Sequence, residues 1–488
     1  MQQLVVVNNP KNWSLQIPGV QVVSAKEYLT DEHFSTLGSV KLYNLCRSYR
    51  YQSTGYYVSL LASARGHKPI PSVLAIQDLK SQSIIRIVSE ELDRLIQSSM
   101  KPIQGDQFTL SIYFGKNLAK RYARLCSRLF QHFQAPLLRA EFVRKDGEWL
   151  LKSINHIAAN DIPKEHHPFV VEAAQDYFRK KSTATSPRNS RYDLAILVNP
   201  EEKMPPSDEK AIQRFIRAAE SLDFYVELIT KDDYARLNEF DALFIRETTS
   251  VNHHTYRLAR RAAAEGLVVI DDPESILKCT NKVYLAELIK KHKIPAPKTL
   301  IISPENRGMV AEKLGFPCII KQPDSSFSVG VVKVDNASEF ELTTAQLFEN
   351  SDLLIVQEFI PTSFDWRVGI INRKPVYVCR YYMARKHWQI YEHAGDGKTH
   401  TGRVDTLPVD QAPAQVVEVA LKSAAFIGDG LYGVDLKEVN GQVYLIEIND
   451  NPSIDSGCED FVLKDELYKI IMQEILIRIE RKKERSVK

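Results

Sequence analysis

The sequence predicts a multidomain protein in which α/β and α+β parts follow one another. Its 488 residues exceed what one hydrophobic core usually organises, and roughly 150 residues per domain suggests about three domains. Hydrophobic residues make up 44% and charged residues 26% of the chain, as in ordinary globular proteins, which argues against disorder and coiled coil. Strands alternate with helices in the middle of the chain, whereas helices alternate with hairpins toward its end.

Charge and cysteine content narrow the functional classes. Sixty-four Lys and Arg against 61 Asp and Glu give a net charge of +3, too little to predict nucleic acid or an anionic membrane as an obligatory partner. No apolar run approaches the roughly 20 residues that cross a bilayer, and the N-terminus lacks a signal-peptide pattern. The six cysteines form no C-x-x-C pair, which argues against a zinc site and a disulfide framework. We therefore expect a cytoplasmic protein.

Residues 1–160 are predicted to form a mixed α/β domain. Its expected elements are a strand at 4–7, a helix at 56–64, and strands at 108–114, 137–143 and 149–157. Gly66 marks the end of the helix in the manner of a C-terminal cap, and Asp146-Gly147 between the last two strands is a strong hairpin signal. Residues 161–190 are expected to form a helix at 169–181 and a polar linker.

Residues 191–274 predict a small parallel sheet. Strands are expected at 192–198, 225–229, 242–245 and 267–270, with helices at 209–222 and 254–265. This rhythm implies right-handed crossovers between parallel strands. In residues 275–488 helices alternate with hairpins, which predicts an α+β unit.

The most informative stretch, residues 431–452, predicts two strands around a turn at 440–441. Glu447 and Asn449 share one face of the second strand, while Ile446 and Ile448 face apolar packing. With Asp435 on the first strand, these oxygen ligands suit Mg²⁺, which is usually held by one or two carboxylates plus nucleotide phosphates.

Strand register provides a test of this metal site. A plain two-residue turn would pair Asp435 with Ile446 and put Glu447 on the opposite face, whereas a three-residue loop with Gly441 in a bulge would bring both carboxylates to one face. The metal site therefore predicts the bulged loop. If the carboxylates do not meet, Asp435 and Glu447 are solvent-facing strand residues.

Lys321 ends a second predicted buried strand, and a serine-rich loop with Ser325 and Ser326 leads from it to Gly330. Backbone amides and hydroxyls of such a loop can cover phosphates, although the Walker pattern G-x-x-x-x-G-K-[ST] is absent. A surface hairpin with a solvated lysine is the alternative.

Gln357, Glu358 and Phe359 end an apolar strand that a proline stops. Free backbone groups beside an aromatic ring suit adenine, although most such strands merely pack.

The next two strands carry Asp365, Arg367 and Arg380. Alternation puts Asp365 and Arg367 on one face, and Arg380 leaves a second apolar strand. Arginines recognise carboxylates or phosphates, but structural salt bridges are their commoner use.

Taken in chain order, these segments resemble the ATP-grasp superfamily, and in particular RimK-like ligases, from about residue 195 to residue 477. The resemblance implies an ATP-grasp fold at 275–488, preceded by a pre-ATP-grasp domain at 191–274. Residues 44–67 resemble the domain found ahead of certain RimK-like proteins, so residues 1–160 are expected to be a RimK-like ATP-grasp N-terminal domain. The implied activity is ligation of a carboxylate to an amine through an acyl phosphate.

The resemblance also implies roles for single residues. The implied ATP-binding residues are Lys282, Lys321, Ser325, Ser326, Gln357, Glu358, Phe359 and Asp365. The implied ligands for two Mg²⁺ ions, which Mn²⁺ is expected to be able to replace, are Asp435, Glu447 and Asn449. Arg380 and Lys321 are the implied catalytic residues, and Arg246, Arg367 and Asn451 the implied substrate contacts.

The implied substrates are a glutamate-type acid and an amine on a small molecule or a peptide. Two alternatives stay open: a glutathione-synthetase-like ligase acting on a small γ-glutamyl compound, and a non-catalytic ATP-binding regulatory or RNA-associated protein. We expect neither a membrane nor a nucleic-acid partner, and a homo-oligomer stays open.

Two histidine pairs, His166-His167 and His253-His254, invite a metal interpretation. Adjacent residues point apart on a helix or strand, and the sequence places no third ligand beside either pair. We therefore expect these histidines to be solvated.

Overall fold

The computed structural model describes residues 2–13, 15, 20–37, 40–182, 190–324, 330–384, 388–393 and 399–487. They form two compact units. The first unit comprises Met1–Asn189 and Asp232–Phe240, and the second comprises Ser190–Lys231 and Asp241–Lys488. The finer division of the chain at residues 160, 190 and 274 stays a proposal.

The first unit contains a parallel and an antiparallel sheet. The parallel sheet has the order β2-β1-β3-β4 and consists of β1 (Gln2–Val7), β2 (Gln21–Ser24), β3 (Val40–Asn44) and β4 (Lys68–Ile70). The antiparallel sheet has the order β5-β6-β7 and consists of β5 (Gln107–Tyr113), β6 (Leu137–Lys145) and β7 (Glu148–His156). The helices are α1 (Ala25–Thr30), α2 (His33–Thr36), α3 (Thr54–Ala64), α4 (Val73–Asp78), α5 (Gln82–Glu91), α6 (Asp93–Met100), α7 (Ala123–His132) and α8 (His167–Ser182).

The hairpin predicted in this unit is confirmed. Lys145 pairs with Glu148 across a two-residue turn, and both turn residues have positive φ angles, 53° at Asp146 and 87° at Gly147. This backbone conformation matches the twist of the flanking strands. Helix α8 buries Ala174 and other apolar residues in a core with strand residues such as Tyr43, so the helix expected beside the linker is part of a hydrophobic core.

His156, the last residue of β7, is enclosed in this unit. Its Nε2 lies 2.9 Å from the backbone oxygen of Cys46, and its ring lies 4.0 Å from the Tyr49 ring, centroid to centroid. Burial lowers the pKa of His156 from its ordinary value of 6.5 to about 4. The folded protein therefore keeps this imidazole neutral in mildly acidic solution.

We expect His156 to make the first unit sensitive to acid. Between pH 6.5 and about 4 the unfolded chain binds a proton that the folded chain does not, so the free energy of unfolding falls as the pH is lowered, by up to about 3 kcal/mol. In His156→Gln this part of the pH dependence should disappear, as measured by urea unfolding at a series of pH values. His33→Gln, at an exposed position of α2, is the control, and an unchanged slope in His156→Gln would contradict the prediction.

The second unit begins with a parallel sheet of order β11-β10-β8-β9. Its strands are β8 (Tyr192–Leu197), β9 (Phe224–Ile229), β10 (Ala242–Ile245) and β11 (Val268–Ile270), and its helices are α9 (Glu209–Glu220) and α10 (His254–Ala264). All three strand pairs are parallel, which confirms the prediction from the strand and helix rhythm.

Two antiparallel sheets follow in the same unit. One has the order β12-β15-β13-β14 and the other β20-β17-β16-β21-β22, and β18 pairs with β19. The strands are β12 (Thr299–Ile302), β13 (Cys318–Lys321), β14 (Val331–Val334), β15 (Leu354–Glu358), β16 (Phe364–Ile371), β17 (Lys374–Tyr382), β18 (Tyr391–His393), β19 (Thr399–Thr401), β20 (Val404–Leu407), β21 (Leu431–Val439) and β22 (Gln442–Asn449). The helices are α11 (Pro273–Thr280), α12 (Lys282–His292), α13 (Met309–Lys313), α14 (Ala337–Phe348), α15 (Ala414–Ala425) and α16 (Asp465–Val487).

The two faces of the five-stranded sheet differ in character. One face buries Trp366, Val434, Leu436 and Ile448 in a core with α15, which follows from the alternation of apolar residues along β16, β21 and β22. Asp365, Arg367, Asp435 and Lys437, which alternate with these residues, and Glu447 point to the other face. Among the described residues no helix combines the length and apolar character needed to span a bilayer.

Candidate active site

A cavity of about 250 Å³ lies in the second unit. Both antiparallel sheets line it, and so do residues that follow β10. Its lining includes Thr248, Thr249, Ser250, Lys282, Ile319, Lys321, Val331, Gln357, Glu358, Phe359, Asp365, Arg367, Trp388, Asp435, Lys437, Ile446, Glu447, Asn449 and Asn451. The structure thus brings most of the predicted site residues to one place.

The two predicted metal-binding carboxylates face each other across neighbouring strands, with Asp435 paired to Glu447. The predicted bulged loop is nevertheless wrong. Val439 pairs with Gln442 across a plain two-residue turn, and the register shifts later, between Asp435 and Leu436. The additional residue is Ile446, which lines the cavity instead of joining the apolar packing as predicted. The bulge therefore lies within the strand, and it puts both carboxylates on one face.

Each carboxylate has a cationic partner. Arg367 contacts Asp435 through two nitrogens, with Nε 2.6 Å from Oδ1 and Nη2 2.7 Å from Oδ2. Lys282 Nζ lies 2.9 Å from Oε1 of Glu447. Asn449 also faces this cluster, since its Nδ2 lies 3.1 Å from Oδ2 of Asp435. Carboxylate and amide oxygens of this kind form a hard donor set.

Burial and charge act in opposite directions on the two acids. Burial raises the pKa of Asp435 above its ordinary value although Arg367 opposes the rise. Burial acts in the same direction on Glu447, but Lys282 and Lys321 outweigh it, and the pKa of Glu447 is lowered. The Glu447 carboxylate is therefore held as an anion.

Lys321 ends β13 as predicted and lines the cavity. Burial lowers the pKa of its ammonium group to about 8, Glu447 opposes that effect, and Lys282 and Lys437 add to it. Four cationic side chains thus line the cavity, Lys282, Lys321, Arg367 and Lys437, and such groups can contact a polyphosphate.

Lys282 owes its position to a helix start. It is the first residue of α12, and the side chain of Asn281 caps that helix by accepting hydrogen bonds from the backbone nitrogens of Val283 and Tyr284, both at 3.1 Å. An asparagine in this position satisfies two otherwise unpaired N–H groups. This cap fixes the start of α12 at Lys282.

The other end of the cavity is more apolar. The backbone N–H of Glu358 donates to the oxygen of Lys298 at 3.0 Å, and the Glu358 carboxylate accepts from the Lys298 N–H at 2.8 Å. Phe359 lies edge-on to Trp388, with ring centroids 6.0 Å apart. The Gln357 amide is bonded to Thr299 at 3.0 Å. An aromatic and aliphatic wall beside a strand end is the setting expected for a nucleotide base.

Asp365 has a cationic partner that the sequence analysis missed. Lys437 Nζ lies 2.6 Å from Oδ1 of Asp365 and 2.7 Å from Oγ1 of Thr362. The alternation of β21 contains the signal, because Lys437 follows Asp435 by two residues and shares its face. Ser250 was missed as a lining residue as well.

Arg246 was predicted to contact substrate, but its guanidinium is 1% exposed and serves the protein itself. It donates to Asn451 Oδ1 at 2.7 Å, to Ser207 Oγ at 2.8 Å and to the oxygen of Pro452 at 2.9 Å. Asn451 lines the cavity, and its Nδ2 donates to the backbone oxygen of Glu247 at 2.7 Å. Arg246 thus positions Asn451, and only the asparagine reaches the cavity.

The structure does not bring Arg380 to the cavity. Arg380 pairs directly with Trp366, and directly paired residues share a face, so it lies on the side opposite Asp435. Its guanidinium carbon is 4.8 Å from the centre of the Trp366 ring. The catalytic role predicted for Arg380 does not fit this position. The arginine on the cavity face is Arg367. Ser325 and Ser326 lie outside the described residues.

Comparison with known proteins gives two family matches. Residues 25–173 match the RimK-like ATP-grasp N-terminal domain, and residues 290–457 match the D-ala D-ala ligase C-terminus. The alpha-aminoadipate–LysW ligase LysX of Saccharolobus solfataricus is 27% identical over 264 residues, which are 52% of this chain and 89% of the relative. A probable alpha-L-glutamate ligase of Rhodopirellula baltica is 24% identical over 258 residues, which are 51% of this chain and 62% of the relative. A D-alanine–D-alanine ligase from Bacillus anthracis matches with a TM-score of 0.47 at 15% identity, over 60% of this chain and 99% of that chain.

Both family matches fall on the segments whose motifs predicted them. The protein is accordingly a ligase of the ATP-grasp class, which forms carbon–nitrogen bonds. The match to the RimK-like ATP-grasp N-terminal domain and the likeness to a probable alpha-L-glutamate ligase confirm the resemblance to RimK-like ligases. Enzymes of this class bind ATP and a divalent metal ion, and the oxygen donors and cations of the cavity fit both.

Proposed function

We propose that the protein is an ATP-dependent carboxylate–amine ligase that forms an amide bond through an acyl phosphate, with a glutamate-type acid as one substrate. One observation carries the proposal: Asp435, Glu447 and Asn449 meet Lys282 and Arg367 on one strand face. Oxygen donors for a hard metal ion thus adjoin cations for phosphate, which is the combination that phosphoryl transfer requires.

In this proposal Asp435, Glu447 and Asn449 hold two Mg²⁺ ions, and Mn²⁺ can replace them. When bound, the ions neutralise charge on the phosphate oxygens. Lys282 and Lys321 contact the phosphates, with Lys282 moving from Glu447 to the nucleotide.

The proposal also assigns contacts to the base and the ribose of the nucleotide. The backbone of Glu358 and Phe359 holds adenine, and Asp365 binds near the ribose. Gln357 acts indirectly. Its side chain donates a hydrogen bond to Thr299 of the neighbouring strand β12, and this bond holds the end of β15, where Glu358 lies.

The chemistry has two steps. A carboxylate oxygen of the acid attacks the γ-phosphorus of ATP, the bond to the β,γ-bridging oxygen breaks, and ADP leaves. The nitrogen of the amine then attacks the acyl carbon, phosphate leaves with the former carboxylate oxygen, and the nitrogen loses a proton. Arg367 binds the negative charge of the acid and of the acyl phosphate. Positioning and electrostatics carry these steps, so no serine or cysteine nucleophile is needed.

The acid class is proposed from the relatives. One is named for α-aminoadipate and another for L-glutamate, and these compounds are α-amino dicarboxylic acids that differ by one methylene group. Their shared chemistry supports a glutamate-type substrate. The amine partner is proposed to be a small molecule or a peptide. A glutathione-synthetase-like enzyme would instead act on a small γ-glutamyl compound.

A hydroxylamine trap tests the proposed function. Purified protein is incubated with Mg-ATP, hydroxylamine and one of a panel of acids that includes L-glutamate, α-aminoadipate and γ-glutamyl dipeptides. Hydroxylamine intercepts an acyl phosphate whatever the natural amine, so we expect a hydroxamate from a glutamate-type acid, detected by mass spectrometry, with ADP released in equal amount.

Two results would contradict the proposal. A hydroxamate formed equally well without ATP would exclude an acyl phosphate. Tight ATP binding with neither hydroxamate nor ADP release, in the presence of all acids and of cell extract as amine source, would favour the non-catalytic alternative.

A further inference from the structure

The histidine pair expected to be solvated, His253-His254, has an acidic neighbour. The two rings lie 3.8 Å apart, centroid to centroid, so these adjacent side chains do not point apart. Glu247 comes from the segment after β10, and its carboxylate approaches both rings. One ligand atom from each of the three residues lies within 4.8 Å of the other two, although 5 residues or more of chain separate Glu247 from the histidines.

Glu247 is nearly inaccessible to solvent and incompletely satisfied. The residue is 1% exposed, and among the described residues its Oε2 has no hydrogen-bond partner. Its Oε1 accepts from Nδ2 of Asn199 at 3.1 Å. A buried carboxylate oxygen without a partner costs free energy, so this oxygen needs a further neighbour.

The contact between Glu247 and His254 also lacks a regular hydrogen bond. Nε2 of His254 lies 2.8 Å from Oε1 of Glu247, yet among the described residues it makes no hydrogen bond of good geometry. Two lone-pair atoms at such a distance repel each other unless a proton or a cation lies between them. The side chain of His254 is 19% exposed, which leaves an entry path from solvent.

The immediate neighbours of His253 also fit a metal ligand. Nδ1 of His253 lies 3.1 Å from Oγ1 of Thr255, which reserves Nε2 for a ligand. Burial lowers the pKa of His253, His254, Arg257 and Lys231 add to the effect, and Glu247 opposes it. Glu202 supplies a second carboxylate nearby, held by the Thr248 N–H at 3.2 Å.

We propose that Glu247, His253 and His254 form a binding site for a divalent transition-metal ion of the Zn²⁺ class, separate from the Mg²⁺ site of the ATP-binding cavity. Two imidazole nitrogens and one carboxylate oxygen are the ligand set of zinc sites that keep a fourth position open for water or substrate. Softer nitrogen ligands distinguish it from the all-oxygen set of Asp435, Glu447 and Asn449, which suits Mg²⁺.

The location gives this site a defined consequence. Thr248, Thr249 and Ser250, which line the cavity, lie between Glu247 and His253 in the chain. A metal ion joining Glu247 to His253 and His254 therefore closes this segment into a short loop and orders one wall of the cavity. The segment belongs to the parallel-sheet part of the second unit, whereas the proposed nucleotide contacts come from its antiparallel sheets and from the start of α12.

Titration with Co²⁺, a spectroscopic substitute for Zn²⁺, tests the site. The full-length protein is used without an affinity tag, treated with chelator and dialysed, with Glu447→Gln in every sample so that the ATP-binding cavity contributes little. We expect one equivalent of Co²⁺ to bind and to show the intense visible absorption that is typical of four-coordinate Co²⁺. In Glu247→Gln and in His254→Gln the dissociation constant should rise at least about 100-fold, because loss of a ligand costs no less than loss of its supporting partners. His33→Gln, on the exposed surface of α2, is the matched control.

The outcomes decide the proposal. Equal Co²⁺ affinity in Glu247→Gln and its parent would overturn it, and so would a parent protein that binds no stoichiometric Co²⁺. If circular dichroism shows that Glu247→Gln does not fold, His254→Gln decides alone, since its side chain is partly exposed. A rise of the Tm with Zn²⁺ in the parent, absent from His254→Gln, gives an independent readout.

Discussion

Glu447→Gln is expected to reduce ATP-dependent hydroxamate formation by about 10³-fold or more, which corresponds to about 4 kcal/mol of transition-state stabilisation. Glutamine has the size of glutamate but lacks the charge that holds a divalent ion. The same carboxylate pairs with Lys282 at 2.9 Å, so the substitution also releases that lysine. The rate of hydroxamate formation at saturating Mg-ATP, together with calorimetry of Mg-ADP binding, measures both effects.

Glu438→Gln is the matched control for this experiment. Glu438 lies on the neighbouring strand β21 and accepts the indole N–H of Trp366 at 2.9 Å, on the face opposite the cavity. A glutamine oxygen can still accept that bond, so we expect activity within about twofold of the parent protein. Equal losses in the two variants would show that the strand, and not the charge at Glu447, is responsible.

Arg367→Lys is expected to lower kcat/KM for the acid by at least about 100-fold, because lysine cannot reproduce a two-nitrogen contact with a carboxylate or a phosphate. The positive charge beside Asp435 is kept, which avoids the larger cost of a buried anion without a partner. Arg380→Lys, the same change on the adjacent strand β17, should alter kcat/KM by no more than about threefold, since Arg380 lies over Trp366 on the other face.

The comparison of these two variants separates two assignments. The family resemblance gives the acyl-phosphate role to Arg380, and the strand register gives the cavity to Arg367. A large loss in Arg380→Lys with a small loss in Arg367→Lys would refute the register-based assignment. Thermal unfolding of both variants shows whether either loss is due to instability.

Much of the fold and the site could be predicted from sequence patterns that extend over only a few residues. Period-two alternation along β22 placed Glu447 and Asn449 on one face. The rhythm of strands and helices predicted the parallel sheet that the pairing of β8, β9, β10 and β11 confirms. These features depend on neighbours within a few residues, for which backbone geometry leaves few choices.

Other features required the folded chain. Only the strand pairing shows that the register shift is at Ile446, within the strand, and only direct pairing with Trp366 puts Arg380 outside the cavity. A slip of one residue exchanges the two faces of a strand, and local sequence does not say where such a slip occurs. The carboxylate of Glu247 likewise meets the histidine pair because a loop folds back after β10. The sequence by itself thus determined which charged side chains are present and how they alternate along each strand. Long-range packing decided which of these side chains face one another.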